Sequence, residues 1–427
     1  MHAMHSHRSR HRRCPIRPAQ PNPAQNPHWA RFAGILLAFS LAAAPATAQT
    51  LAQVLEQAWS LHPQARASST RSAQAAAGVE AATGLTPGPA ALSLGTASDR
   101  FNANQGQREW EVEMSVPLWL PGQKAAQTAE ALSSQKEAMA EPHALRLRLA
   151  GDLRTAWWAV AAARQTQTLA QQRVDTAQAL QADIQRRYRA GELARIDANL
   201  AQREVLVAQG ALADSATALV QAEQAFRALT GSAAPAQLAP ESPYGQKVLA
   251  PDHPLLAVAS AALERAQARV RSVDATRRTA PELALRMVRD RGAAGRPHSS
   301  TVGSKLTIPL SSAPLVRQAQ AAALAALEQA QAEYDQLQRK LALDAEQAQH
   351  SLESSTRQLR QAQERLALDT DTLHLADKAF ALGESGLPAL LRARSDALQA
   401  QAQVSQQQWS VAAAQSRLNQ ALGALPQ

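Results

Sequence analysis

Histidine is the side chain best suited to hold a metal or move a proton near neutral pH. The chain beyond residue 48 holds six, His62, His143, His253, His298, His350 and His374, scattered without metal-ligand spacing. There is no G-x-x-x-x-G-K-[ST] loop to cradle a phosphate and no G-x-S-x-G elbow to expose a nucleophile. No catalytic, cofactor or metal site is expected.

Asp197 closes the stretch Tyr188-Arg189-Ala190-Gly191-Glu192-Leu193-Ala194-Arg195-Ile196-Asp197. Long Ala/Gln/Leu-rich helical pattern runs into it and out of it. Gly191 suits the position just past a helix end, where the backbone turns left-handed and a β-carbon would clash. A second copy, Phe380-Ala381-Leu382-Gly383-Glu384-Ser385-Gly386-Leu387-Pro388, lies 192 residues on. One tight helical hairpin, made twice, implies one folding unit, made twice.

The composition agrees with slender helices. Hydrophobic content is 45% but aromatics are 4%, so alanine and leucine supply most of the apolar surface. The net charge of +9 suggests nucleic acid, but residues 1–48 carry six arginines (Arg8, Arg10, Arg12, Arg13, Arg17, Arg31) and no acid. Removing those six leaves +3, with no basic face in the body, so no nucleic-acid partner is expected. The single cysteine, Cys14, cannot form an intramolecular disulfide, so stability must come from packing or assembly.

Arg31 precedes an apolar run, Phe32 to Ala43, and then Ala46-Thr47-Ala48 offers a small-x-small cleavage pattern. This reads as a secretory signal over residues 1–48, cut between Ala48 and Gln49, and too short to span a bilayer. The His-rich leader before it reads as a discarded segment or a mis-called start rather than a metal-binding tail. Cys14 has no apolar run before it and is not read as a lipid-anchor site.

Residues 50–83 read as one helix. Residues 90–98 alternate weakly, and residues 99–108 read as a polar loop. In the next segment Trp110, Val112, Met114, Val116 and Leu118 alternate with Glu111, Glu113 and Ser115. In isolation this fits either a membrane strand, with Trp110 and Trp119 as interfacial aromatics, or a half-buried hairpin of a soluble protein. Helix is expected from 121 to 188, roughly 100 Å at about 1.5 Å per residue, and back as far as Leu229-Thr230-Gly231. A Pro-rich stretch follows at 232–254, then helix over 255–279. A second strand pair is expected within 281–310, around an Arg289–Ser299 loop, then a long helix over 314–382 and a return helix to 422. In the second long helix Leu352, Leu359, Leu366, Leu373 and Phe380 fall seven apart, a coiled-coil seam with small or polar residues at the other core position.

The copies align over their length. His62-Pro63 matches His253-Pro254, Val116-Pro117-Leu118 matches Ile308-Pro309-Leu310, and Gly231 matches Gly423, at offsets of 191 or 192. Repeat 1 is therefore 49–240 and repeat 2 is 241–427. Each supplies two strands. Four strands cannot close a barrel, and an open edge is not tolerated in lipid. A membrane reading requires oligomerisation, and three protomers would give twelve strands, an even number within the outer-membrane range.

This layout resembles the TolC-type outer-membrane efflux channel family over essentially all of 50–423. The resemblance rests on Val116-Pro117-Leu118-Trp119-Leu120-Pro121-Gly122-Gln123, on both glycine turns and on Ala228-Leu229-Thr230-Gly231, in that order. It implies a mainly α fold with a small β part. A homotrimer would form a β-barrel in outer-membrane lipid and a long α-helical barrel in the periplasm. Trp110, Val112, Met114, Val116 and Leu118 would then face lipid. The turns at Gly191 and Gly383, with Tyr188 and Phe380, would form the periplasmic tip. There they would meet a periplasmic adaptor (membrane fusion) protein and an inner-membrane resistance-nodulation-division pump. The Pro-rich stretch and the chain ends would fall at a mid-height belt.

The family also implies a gate at the tip. Its aspartate falls on Asp197, its tyrosine on Phe380, which has no hydroxyl, and its arginine on Ser385. Its acidic ring falls on Ala389 and Arg392, so much of that lock is missing; Asp197 could still pair with Arg195 or Arg392, or could merely favour a helix N-terminus through the helix dipole. The implied function is a passive exit duct of a tripartite efflux system. The Trp157-Trp158 pair and the Pro-Leu-Trp-Leu-Pro-Gly strand end look like the heavy-metal branch. The alternatives are a drug or organic-compound duct, a type I secretion duct, or, in another class, an envelope coiled-coil structural or adaptor protein. That last class would not explain two strand pairs at matching places.

Overall fold

The computed structural model describes residues 49–245, 252–310 and 312–427. The leader, Cys14 and Ala48 lie outside the described residues, as does the 246–251 part of the Pro-rich stretch. The elements run α1 (Leu51–Leu61), α2 (Pro63–Thr83), β1 (Ala91–Ser98), β2 (Arg108–Pro117), α3 (Gln123–Arg189) and α4 (Arg195–Thr230) in the first copy. The second copy holds α5 (Pro254–Ala275), β3 (Glu282–Arg291), β4 (Ser299–Thr307), α6 (Ala313–Ala381) and α7 (Leu387–Ala421). The fold is mainly α, as the periodicity predicts.

The stretch 50–83 is two helices, not one. Pro63 disfavours helical geometry at the residue before it, and His62 is extended at φ −67°, ψ 126°. His62 then caps the second helix: its ring accepts from the Gln64 N–H at 3.3 Å, with Pro63 at the first helical position. His253 and Pro254 repeat the device at the start of α5, with Leu255 N–H donating at 3.2 Å. The matched His-Pro steps are therefore matched helix starts.

The long helices α3 and α6 have 67 and 69 residues, each about 100 Å at 1.5 Å per residue. α3 packs on α4, and α6 on α7, as two antiparallel hairpins, while α3 also touches α7. The half-length helices α2 and α5 lie along α3. Along α6, Leu352, Leu359, Leu366 and Leu373 are half-buried and Phe380 is buried. Ala362 at the other seam position is sealed at 3% exposure, so a close approach to α7 is possible only because that position is small.

The four strands form one antiparallel sheet in the order β1-β2-β3-β4, and the β2–β3 pair joins the two copies. Arg108, expected in a loop, begins β2. Arg289, Asp290 and Arg291, also expected in a loop, are the end of β3. Antiparallel pairing holds them: Trp110 lies opposite Arg289 and Arg108 opposite Arg291. The Arg291 guanidinium also donates to the Gly106 carbonyl at 3.2 and 3.3 Å. At the other end β2 stops at Pro117, which lacks the N–H to continue a ladder, so Leu118 lies just beyond the strand.

The main core sits where α1, α3, α4 and α7 meet. Leu55, Leu153, Trp157, Val160 and Phe226 are sealed there. A second cluster lies at the far end of the hairpins, around Leu180, Ile184, Phe380, Leu387 and Leu390. Elsewhere the helices keep large apolar side chains exposed, including Leu206, Val207 and Val220 on α4 and Leu343, Leu368 and Leu375 on α6.

Candidate functional site

Three zones carry the candidate residues. The first is the sheet. Trp110, Val112 and Met114 are exposed on one face, at 61%, 44% and 52%, while Glu111 and Glu113 are half-buried on the other. Val116 is half-buried on the same face as Met114, and Leu118 beyond the strand is exposed. The register extends the apolar face across the sheet: Leu92 and Leu285 flank Met114, Leu94 and Met287 flank Val112, and Val302 follows on β4. The opposite face carries an ion pair, Arg286 to Glu111 at 3.3 Å. A sheet apolar on its outer face and charged on the inner one is the pattern of a barrel wall between lipid and water.

The second zone is the tip. Gly191 and Gly383 have φ of 79° and 74°. In each, the glycine N–H donates to the carbonyl three residues back, and the next N–H to the carbonyl five back: Gly191 to Tyr188 and Glu192 to Arg187, Gly383 to Phe380 and Glu384 to Ala379. This paired closure satisfies the last helical carbonyls and needs the left-handed residue. Tyr188 and Phe380 occupy equivalent positions with different surroundings. Tyr188 is 38% exposed, and Phe380 is 9% exposed within the apolar cluster. The Arg187 guanidinium lies 5.4 Å from the Phe380 ring centroid and is itself paired with Asp183 at 3.1 Å. That cation–π contact joins the two hairpins without a hydroxyl.

Asp197 lies in the first turn of α4, where its charge complements the helix dipole. Among the described residues it pairs with neither Arg195 nor Arg392, and Arg392 is exposed without an acidic partner. The ion pair at this level is instead Arg394 of α7 with Asp377 of α6 at 3.3 Å, within the second hairpin.

The third zone is the belt at the main core, whose buried Arg154–Glu241 pair sequence reasoning missed. Arg154 on α3 is 3% exposed and forks onto Glu241 of the Pro-rich connector, with Nε and Nη2 donating at 2.9 and 2.8 Å. The same guanidinium donates to Gln420 on α7 and to the Ala424 carbonyl at 3.1 Å. The available sequence clue was one arginine among Leu149, Leu153 and Trp157 on an apolar face, with Glu241 the first charge in the Pro-rich segment. Close by, His253 is 1% exposed, and burial lowers its pKa against a smaller opposing effect of Asp252. Its Nδ1 accepts from Leu255 N–H, and its Nε2 is buried without a partner among the described residues.

A family model for the outer membrane efflux protein matches residues 40–232 and 247–424, once for each copy of the repeat. The chain belongs to that family. This efflux protein therefore lies in the outer membrane, and its relatives are channels rather than enzymes. Solved structures share the fold. The Vibrio cholerae outer membrane protein VceC superposes with a TM-score of 0.73 at 16% identity, over 88% of this chain and 96% of that one. CusC gives 0.74 at 16% identity, over 88% and 93%. The Campylobacter jejuni CmeC channel gives 0.72 at 14% identity, over 88% and 86%. No individually curated protein sequence matches the efflux protein.

The fold places the helices of the efflux protein in the periplasm and the sheet in the membrane. The Trp157-Trp158 pair belongs to the belt: Trp157 is sealed against Phe226, and Trp158 packs at a tilt against Trp409 and donates to Ser416 Oγ at 2.9 Å. Both indoles are packing residues here.

Proposed function

We propose that three copies of this protein assemble as the exit duct of a tripartite efflux system, taking cargo from an inner-membrane resistance-nodulation-division pump through a periplasmic adaptor. The observation that carries this is the sheet. Among the described residues its edge strands β1 and β4 have no further strand beside them, while its outer face carries an apolar band. Such edges are costly in lipid unless closed by further strands. The exposed apolar residues of α4 and α6 support the same assembly, since neighbouring hairpins would cover them. The 49–240 and 241–427 repeats are the two folding units of each protomer. The hairpin ends at Gly191 and Gly383, with Tyr188 and Phe380, form the adaptor-docking rim.

The cargo class we propose is heavy-metal cations, on the sequence resemblance of the Trp157-Trp158 helix and the Pro117–Gly122 strand end. Both tryptophans pack inside the belt, so cargo choice rests with the pump and adaptor. Drug-like compounds are the competing class. An outer-membrane fraction should yield a heat-modifiable trimer resistant to sodium dodecyl sulfate, and a monomer in the soluble periplasm would overturn the duct. A deletion strain hypersensitive to heavy-metal salts supports the cargo class; one hypersensitive only to organic compounds replaces it.

A further inference from the structure

Along a strand, successive side chains point to opposite faces, so register assigns every charge on the sheet to one wall. On the inner wall stand Glu109, Glu111, Glu113, Glu282 and Asp290, with Arg286 and Lys305 among them. The outer wall, on the face of Val112 and Met114, carries no acid in β2 or β3. It carries three arginines, Arg108, Arg289 and Arg291, all at the end of the sheet beside the loops 99–107 and 292–298. That end lies away from the periplasmic helices, because each hairpin loop is the part of its strand pair furthest from the helix that follows. The three arginines are thus on the lipid side, at the level of the outer leaflet's head groups, with Trp110 and then the aliphatic band below them.

Their arrangement is unfavourable on its own. Arg108 lies directly opposite Arg291, and Arg289 is two residues along the same face. Like charges opposite one another across a ladder repel. Among the described residues none of the three has an acidic partner, and Arg108 and Arg289 have no side-chain hydrogen bond at all. Only Arg291 is anchored, on the Gly106 carbonyl. Of the nearby acids, Asp290 and Glu109 are on the inner wall, Asp290 accepts from Ser299 Oγ at 2.6 Å, and Asp99 in the loop accepts from the Gln105 N–H at 2.6 Å and pairs with none of the three. What resolves the repulsion is an anion that arrives from the lipid side and accepts several guanidinium bonds at once, which is the chemistry of a phosphate monoester.

We propose that Arg108, Arg289 and Arg291 form a phosphate-binding belt on the outer wall of the barrel, occupied by the phosphorylated glycolipid of the outer leaflet. Trp110 packs its indole beside the sugar and acyl boundary, so each protomer holds its lipid by charge above and by apolar contact below. The belt rests on the barrel reading, since only a closed barrel turns this face to lipid.

The test uses the full-length assembled channel in phosphatidylcholine vesicles and a fluorescent lipid A, either with both phosphates or with both removed. The bisphosphorylated lipid should bind about tenfold more tightly or better. R108Q/R289Q should bring it to the level of the dephosphorylated lipid, while R108K/R289K keeps most of the preference. Arg286→Gln, the loss of one positive charge on the inner wall, should leave it unchanged. Equal binding of the two lipids by the unmodified channel overturns the belt, whether or not the double glutamine variant assembles. A preference that survives R108Q/R289Q, or that falls equally in Arg286→Gln, also overturns it. Displacement by millimolar inorganic phosphate would make the site one for free phosphate and overturn the lipid assignment. Incorporation into vesicles without a phosphate preference rejects the belt alone, whereas failure to incorporate into either vesicle rejects the barrel and the belt together.

Discussion

Arg154 and Glu241 are 87 residues apart in sequence and form a two-point ion pair whose side chains are only 4% and 7% exposed. It ties α3 to the connector between the repeats, and through Gln420 and Ala424 it also ties in α7 and the chain end. Removing one partner of such a pair leaves an uncompensated buried charge. Glu241→Ala should therefore cost about 3–5 kcal/mol, read as a lower midpoint of thermal dissociation of the assembled channel. Arg154→Met/Glu241→Leu should recover much of that loss, and a double variant no better than the single one would contradict this account.

His253 makes stability depend on pH. Burial lowers its pKa from the ordinary 6.5. The unfolded chain takes up a proton as pH falls through 6.5, while the folded chain resists it, so the unfolded state binds more protons and stability falls with pH. The contribution is intact above 6.5 and is lost on acidification towards the lowered folded value. His253→Gln should flatten the decline between neutral and mildly acidic pH in thermal melts. A variant that melts with the same pH slope as the parent would assign the dependence to other groups.

Gly191 and Gly383 have positive φ and open space where a β-carbon would go, so substitution meets backbone strain alone. That is about 1 kcal/mol, too little to unfold an assembly but enough to splay a hairpin end. Gly191→Val or Gly383→Val should leave the trimer in the outer membrane and abolish efflux. Gly423 is the contrast, because a β-carbon there would lie 2.6 Å from the His253 ring. Gly423→Ala should reduce the amount of assembled protein, measured by heat-modified gel mobility.

On the sheet, Met114 and Glu113 are neighbours on opposite walls. Met114→Arg should impair barrel assembly by about 2–4 kcal/mol if the site lies near the midplane. Glu113→Gln should be tolerated. Folding into detergent or lipid, followed by gel mobility, compares the two, and equal effects would mean that the wall assignment is wrong.

At the tip, Asp197 has no ion pair among the described residues, whereas Arg187 spans from the first hairpin to Phe380 of the second, and Arg394 pairs with Asp377 within the second. Asp197→Ala should change the resting single-channel conductance only modestly. A large jump would show that Asp197 holds the tip closed across a contact with another protomer.

The sequence by itself determined the elements whose causes are local. Gly191 and Gly383 announce left-handed helix stops, the alternation from Trp110 to Val116 announces a strand with two faces, and the constant offset announces the repeat. Each depends on residues close together in the chain, where spacing alone fixes which side chains share a face. The tertiary structure decided what depends on residues far apart. Arg108 and Arg291 became sheet because each pairs with the other's strand, against polar composition that reads as loop. Arg154 and Glu241 became a sealed pair because folding brings the connector onto α3, and desolvation forces two charges that would ignore each other in water to meet. Tyr188 and Phe380 show the division most plainly. They share one position in the repeat and one turn geometry, yet one is exposed and the other buried, because burial is set by which neighbour lies across the gap, and local spacing carries no record of that neighbour.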